Sequence, residues 1–404
     1  MLLFGGDLAL HRLPSGEFPA AAVTQLRGVF EAADLAMLNL ETQLTEIDSP
    51  AGTIGSVLRA DPGRVAVLTA LGVSVVSCAN NHCLDYGGDA LLESVGRLGQ
   101  SGIGAVGVVH DGSAGSLVMP ARALRVGLLA FTDDWRVEGE LPGTARPVPH
   151  HPAAVRQAIA AMARTVDIVV TQLHWGYEWA MYPLRSYRDL ARSYVEAGAH
   201  LVVCHHAHVP MGLEMWQGGL IAHGLGNFYF GAPGREQHPF RSASFLLRVE
   251  VRAGAVVRAE ALPVRTSPAG LLTLDEGLAG ARTLSALGCL SGRLTADRYL
   301  DRVEAALASE RAAGLLSSLA QGLAEGNEPA VRERVRNLTP PRQRHLTASL
   351  QAGSGPFRAA GALLEAFREG ALDPLTAAGR REIAALEAPL KAFHARHRPV
   401  GRLP

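Results

Sequence analysis

The chain has 404 residues, 48% of them hydrophobic, and its 38 basic side chains balance 38 acidic ones. That length and apolar content suffice for a large core and predict two domains. The balanced charge supplies no global field for nucleic acid or an anionic membrane, and no apolar run approaches the ~20 residues that span a bilayer.

The first predicted element is a buried strand over Met1–Phe4, followed at once by Gly6-Asp7. A second strand, Leu35–Leu38, runs into Asn39-Leu40-Glu41, and a Ser/Pro/Gly-rich loop is expected over Asp48–Ser56. Asp61–Leu71 predicts a helix, with Asp61 as N-cap, Pro62 at the first helical position and Gly72 as the stop. The strand Val73–Cys78 then delivers Ala79-Asn80-Asn81-His82, and amphipathic helices are expected over Ala90–Leu98 and Ala153–Ala163. Between these helices lie a strand at Arg125–Phe131, a weaker polar candidate at Thr132-Asp133-Asp134, and a loop at Glu138–Pro152 with four prolines. Three more strand-to-motif steps follow. Asp167–Leu173 precedes His174-Trp175-Gly176-Tyr177-Glu178, His200–Cys204 precedes His205-His206-Ala207-His208, and Leu220–Leu225 precedes Gly226-Asn227. Phe245–Val251 and Ala255–Val264 predict an antiparallel pair turning at Ala253-Gly254.

Composition shifts after Ser267-Pro268. From Asp275 the chain is rich in Ala, Leu, Glu and Arg at helical spacing, with breaks near Gly292, Gly326, Pro340-Pro341, Gly353-Ser354-Gly355 and Pro374. About five helices account for it. The expected division is therefore an α/β domain over residues 1–265 and a helical domain over 268–404. The helical part lacks a concentrated ligand set, which suits an appendage, a surface for a protein partner or self-association, or a lid.

Buried parallel strands are near-continuous apolar runs, and ligands of open α/β sheets collect beyond the strands' carboxyl ends. Six such ends carrying carboxylate, imidazole or carboxamide predict a metal-centred site. Three imidazoles within His205–His208 are costly unless they bind something. On an extended backbone, His206 and His208 share one side while His205 faces elsewhere. Asn39 and Glu41 flank Leu40 and share a side, so the Glu41 carboxylate can bridge two cations. His174 and Glu178 share a helical face if that segment turns, with Trp175 and Tyr177 as pocket walls. Asn227 reads equally well as a strand cap, with Phe228-Tyr229-Phe230 in the core.

A mixed His/Asp/Glu/Asn set favours Mn²⁺, Fe or Zn²⁺ over an all-oxygen Mg²⁺ or Ca²⁺ site, and there are enough ligands for two ions. Two divalent ions would activate a shared water and clamp an anionic small-molecule or polymer substrate. His82 is placed to protonate a leaving group, with Asp85 and Glu178 as further catalytic candidates. Other chemistries lack support. Cys78 and Cys83 do not have a structural zinc spacing, there is no Gly-x-Ser-x-Gly elbow, and the glycines at 102, 104 and 107 lack a Walker lysine. The four cysteines show no paired framework and no leader precedes the first strand, which predicts a cytoplasmic protein without membrane insertion.

Over roughly Met1 to Val264 these motifs resemble the CapA/PgsA family of poly-γ-glutamate capsule biosynthesis proteins, a branch of the calcineurin-like metallophosphoesterase superfamily. The resemblance rests on Gly6-Asp7-Leu8, Asn39-Leu40-Glu41, Ala79 to Gly87, His174 to Glu178, His205 to Val209 and Leu225 to Phe228. It implies a four-layer αββα sandwich with metals at one sheet edge. By that likeness Asp7 is a metal ligand, Glu41 stands where the wider superfamily has a bridging Asp, and Asn81 serves the second metal. His82 is then the catalytic histidine, while His174, His206 and His208 are imidazole ligands. The superfamily's first motif is Asp-x-His, whereas this chain has Ala9, which leaves two expectations open: that Glu178 or His11 compensates, or that one ion binds tightly and the other weakly; Cys204 stands at a usual Gly. Three readings of function stay open: a metal-dependent phosphate-ester hydrolase, a γ-glutamyl amide hydrolase or transferase, and a non-catalytic part of a cell-envelope polymer machine. Capsule-assembly members generally carry a membrane anchor, and none is evident here, which favours the first.

Overall fold

The computed structural model describes residues 1–11, 20–51, 56–133, 145–231, 240, 242–267, 272–329, 331–332, 360, 362–364, 366–367 and 371–396. The expected helices and hairpin form with small shifts of boundary. Asp61 accepts the Gly63 N–H at 2.7 Å, a 3₁₀ turn covers Pro62–Arg64, and α2 (Val65–Leu71) stops at Gly72, whose φ is +83°. The other helices flanking the sheets are α1 (Ala20–Glu31), α3 (Gly87–Gln100), α4 (Pro152–Ala163) and α5 (Arg185–Glu196).

Two mixed sheets form the centre. The strands of the first are β1 (Leu2–Leu8), β2 (Leu35–Leu40), β3 (Val75–Ser77), β4 (Gly104–Val106), β11 (Asn227–Tyr229), β12 (Ala243–Arg252), β13 (Ala255–Thr266) and β14 (Leu272–Leu274). Their order is β14-β13-β12-β1-β2-β3-β4, with β11 also pairing β1. The second comprises β5 (Leu117–Ala121), β6 (Leu124–Thr132), β7 (Ile168–His174), β8 (Leu201–His205), β9 (Leu213–Trp216) and β10 (Gly219–Ala222), in the order β9-β10-β8-β7-β6-β5. Strands β1–β4 run parallel, as do β6, β7, β8 and β10, so each parallel core sends its carboxyl ends to one rim.

Alternation along the strands builds the layers. Leu2, Phe4, Met37 and Val75 of the first sheet meet Leu128, Val170, Val203 and Leu220 of the second in one core. Leu3, Ala36, Leu38 and Val76 face the other way, onto Leu26, Phe30, Leu68, Leu71, Leu91 and Leu98 of α1–α3. Helices α4 and α5 cover the outer face of the second sheet, burying Val155, Ile159, Tyr194 and Val195. The chain is therefore the αββα sandwich expected.

Three local expectations need correcting. Strand β1 runs through Asp7 to Leu8, because a register shift after Phe4 lets pairing resume with Asn39 and Leu40. The run Leu220–Leu225 is not one strand: β10 ends at Ala222, and the chain crosses at Gly226 (φ +78°) to the first sheet, where Asn227 begins β11. Glu138–Pro152 holds a short strand at Arg146–Pro147, paired with Val108–Val109, and its residues 138–144 lie outside those described. Residues 52–55 of the Asp48–Ser56 loop, Pro268, Pro340-Pro341 and Gly353-Ser354-Gly355 also lie outside.

The chain separates into two compact units, Met1–Thr295 and Ala296–Pro404. The division falls one helix beyond the composition shift because α6 (Leu278–Arg293) belongs with the sandwich. Leu287 enters the inter-sheet core, Ser291 Oγ accepts the Leu213 N–H at 2.9 Å, and the buried Arg188 guanidinium donates to Leu294 O at 2.7 Å. The second unit contains α7 (Asp297–Ala324) and α8 (Ala377–Arg396), with Leu316, Leu319, Val331, Leu364, Phe367 and Ile383 in its own core. Among the described residues, no helix is long and apolar enough to cross a membrane.

Candidate metal centre

The glycine pair in β1 sets the floor of the site. A Cβ on Gly6 would lie 1.7 Å from Gly226 O, so only glycine permits this approach, and the next residue's N–H donates to that same carbonyl at 3.0 Å. That next residue is Asp7, which is buried. Its Oδ1 accepts from the Asn39 amide at 2.9 Å and lies 3.2 Å from His205 Nδ1, while Oδ2 accepts the His206 N–H at 3.2 Å and lies 3.3 Å from His208 Nδ1. Burial alone would raise the Asp7 carboxyl, but hydrogen bonds and charge from His205 and His208 outweigh it and hold the group well below the usual carboxylate range.

Glu41 sits beyond β2 with no exposure, and neither carboxylate oxygen has a hydrogen-bond partner among the described residues. Its Oε1 is 3.5 Å from His174 Nε2 and 3.8 Å from His208 Nε2. Burial first, then the charges of Asp7, Glu178 and Asp85, push this carboxyl well above its ordinary range against the opposing pull of His208. Burial pulls His208 down, yet the charges of Glu41 and Asp7 carry it up to about 10. An isolated buried carboxylate of this kind is costly unless a cation compensates it.

His174, at the end of β7, makes the same point. Its Nε2 lies 2.8 Å from Asn81 Oδ1, 3.0 Å from His206 Nδ1 and 3.5 Å from Glu41 Oε1. One ring nitrogen carries at most one proton and cannot satisfy three neighbours. A cation among them would. Among the described residues the donor atoms form three groups, each within 4.8 Å: Glu41 with His174 and His206, Asp7 with Glu41 and His208, and Glu178 with His206 and His208. Glu41 belongs to the first two and is placed to bridge. Asp7, Glu41, His174, His206 and His208 are thus brought together as the sequence suggests, and Asn81 touches them through His174.

The turn after β3 carries the rest. Asn80 donates to Leu40 O at 2.7 Å and accepts the His82 N–H at 3.1 Å, pinning the turn to β2. His82 Nδ1 lies 2.7 Å from Asp85 Oδ2, an oxygen that also accepts the Leu58 N–H at 2.7 Å. Asp85 therefore acts on His82 and does not join a ligand group.

Several expectations about orientation are overturned. The histidine run is not extended, since φ is +88° at His206 and +58° at His208, so alternation does not apply. His205 does not face away: its Nδ1 meets Asp7 and its Nε2 pairs with Gln172 Oε1 at 2.9 Å. Residues 174–178 do not make a helix, because Gly176 takes φ +91° and the segment turns back. Trp175 is not a pocket wall but packs in the core with His150, Tyr187 and Tyr194, while Trp179 is the ring beside His208, 5.5 Å between centroids. Asn227 Oδ1 accepts from His208 Nδ1 at 2.8 Å and so orients a ligand-capable ring. Gln172 was not a candidate at all; its polarity inside the apolar run Ile168–Leu173 is the signal that marks it.

Cys78, Cys83 and Cys204 are buried free thiols and Cys289 is exposed. Burial pushes Cys78 and Cys204 up to about 12, consistent with inert packing at strand ends. Asp133 accepts from Tyr187 Oη at 3.0 Å and belongs to none of the ligand groups among the described residues.

Two mixed sheets between helices, with carboxylates and imidazoles gathered at the strand ends, define the class of αββα sandwich anticipated from the motifs. Within it, residues 1–232 match the family described as "Bacterial capsule synthesis protein PGA_cap", and the chain belongs to that family. It is 29% identical to the PGA biosynthesis protein CapA of Bacillus subtilis over 50% of this chain and 54% of that protein. It is also 31% identical to a probable polyglutamine synthesis accessory protein of Mycobacterium tuberculosis over 58% of this chain and 67% of that one. The chain thus spans between about half and two thirds of these relatives. Among solved structures, the NAD nucleotidase of Haemophilus influenzae aligns with TM-score 0.42 and 11% identity, covering 71% of this chain and 62% of that one. A Candida albicans 5'-nucleotidase aligns with TM-score 0.37 and 13% identity, covering 72% and 57%.

Proposed function

We propose that this family member is a metal-dependent hydrolase acting on phosphate esters of a small metabolite or glycan. The observation that carries the reading is Glu41: a fully buried carboxylate without a hydrogen bond among the described residues, facing His174 and His208 in a cluster of possible metal ligands. Asp7, Glu41 and His208 would hold one ion, and Glu41, His174 and His206 the other, with Asn81 beside it. Bound there, such ions lower the pKa of water and neutralise charge on an anionic substrate. The protein's own groups supply the remaining roles. His205 and Asn39 fix the Asp7 carboxylate, Asn227 fixes the His208 ring, and Asp85 holds the His82 imidazole so that its other nitrogen can hand a proton to a departing oxygen.

A second reading changes the scissile bond. The names of the B. subtilis and M. tuberculosis relatives speak of PGA biosynthesis and polyglutamine synthesis, which favours a γ-glutamyl amide as substrate. Both readings share the ions and the roles of Asp7, Glu41 and the histidines. The experiment loads the purified protein with Mn²⁺ or Zn²⁺ and assays phosphate mono- and diesters beside poly-γ-glutamate, with His206→Ala/His208→Ala as control. Metal-stimulated release of phosphate or alcohol, absent in the control, supports the first reading. Cleavage of the polymer alone supports the second, and turnover of neither in a metal-loaded sample sinks both.

A further inference from the structure

Glu178 stands apart from the other acidic residues of the site because it is exposed, while Asp7 and Glu41 are buried. Its backbone is nevertheless tightly determined. After His174 the chain reverses through Gly176 (φ +91°), and Trp179 takes φ +64°, a conformation unfavourable for a bulky side chain. Two contacts hold that turn against the histidine run. The Trp179 N–H donates to Ala207 O at 2.8 Å, between His206 and His208, and the Trp179 ring packs on His208. The result sets a Glu178 carboxylate oxygen within 4.8 Å of ligand nitrogens on both His206 and His208.

The oxygen approaches His206 of one ligand group and His208 of the other, and each of those groups has three protein atoms. Asp7, Glu41 and His208 supply three protein atoms, and position 9, two residues after Asp7, is the buried Ala9. His11 gives no help: its ring stands edge-on to Phe230, 6.1 Å between centroids, and it belongs to none of the ligand groups among the described residues. An independent sign that a cation sits here is the buried, unbonded Glu41 carboxylate on the same cluster.

We propose that Glu178 is a metal ligand, added to the cluster from the solvent side through its approach to His206 and His208. The inference rests on the reading of the cluster as a two-ion centre. It adds to that centre a carboxylate that comes from an exposed turn, whereas Asp7 and Glu41 are buried. Because Glu178 comes from an exposed turn, the ion it holds is the one that exchanges with solvent.

The test is Mn²⁺ titration of the full chain by calorimetry and electron paramagnetic resonance, comparing wild type with Glu178→Gln, Glu178→Ala and Glu178→Asp. Thermal unfolding of the metal-free proteins checks that each variant folds. In Glu178→Gln and Glu178→Ala the weaker ion is expected to lose tenfold or more in affinity while the tighter ion is unchanged. Glu178→Asp should recover part of the loss, and the spin-coupled Mn²⁺ pair signal should fade in parallel. Wild-type affinity for the weaker ion in Glu178→Gln overturns this assignment and leaves the metal centre standing. Failure of wild type to take up any ion overturns both.

Discussion

His82 Nδ1 and Asp85 Oδ2 lie 2.7 Å apart within one turn, and the same carboxylate oxygen is anchored by the Leu58 N–H. The carboxylate fixes which imidazole nitrogen carries the proton and where the other points. Asp85→Asn is therefore expected to lower kcat about 10- to 100-fold with metal content unchanged, since a contact that orients another group has effects of this size. The check is kcat against pH together with metal analysis. Loss of metal in Asp85→Asn would assign the residue to the ion site instead.

His205 acts one step behind the ligands. It contacts Asp7 through Nδ1 and is itself held by Gln172. Both His205→Ala and Gln172→Leu should weaken metal binding about tenfold or more by loosening Asp7, with His205→Ala the stronger. Calorimetric titration of the two variants measures this directly.

Gly6 admits no side chain. Its Cβ would overlap Gly226 O at 1.7 Å, a backbone atom that cannot rotate aside. Gly6→Ala should destabilise the protein by about 3 kcal/mol or more, at the upper end of single-substitution effects. Denaturant unfolding gives the value, and an effect below about 1 kcal/mol would mean that the β1–β11 crossing is looser than described.

His150 is buried against Tyr194 and Trp175, and burial lowers its pKa to about 4. An unfolded histidine titrates near 6.5, so between about pH 6.5 and pH 4 the unfolded chain binds the proton that the folded chain refuses. The contribution of His150 is complete above about pH 6.5 and is lost as pH falls through that window, by about 3 kcal/mol in total. His150→Gln should remove this part of the acid sensitivity, read as the difference between the two stability curves.

Thiol reactivity gives a simple control on packing. With Cys78, Cys83 and Cys204 buried and Cys289 exposed, the native protein should label quickly at Cys289 alone and at the other three only on unfolding. Mass mapping of the labelled peptides decides it.

The sites were more legible in the sequence than their orientations. Asp7, Glu41, Asn81, His174, His206 and His208 stand out because each follows a short apolar run, and a strand end is a local signal. What stayed hidden depends on long-range register or on unusual backbone. Pairing His174 with His205 on the neighbouring strand is what sets His205 diagonally beside Gln172, and that pairing cannot be counted along the chain. Left-handed φ at His206, His208 and Trp179 defeats any argument from alternation, because such angles at non-glycine residues leave little trace in composition. The division of Leu220–Leu225 was invisible for a different reason: its two halves are equally apolar yet serve different sheets.

The ligand-capable residues come from both sheets: Asp7 and Glu41 from the rim of one, His174, His206 and His208 from the rim of the other. Ions bound between them would therefore clip the two halves of the sandwich together along an edge where the apolar core gives way to polar groups. At a thousandfold excess over Kd each such ion would add about 4 kcal/mol to the free energy of unfolding. Chelation would then loosen the molecule as well as silence it, and the supply of metal in the cell would set how long the protein survives.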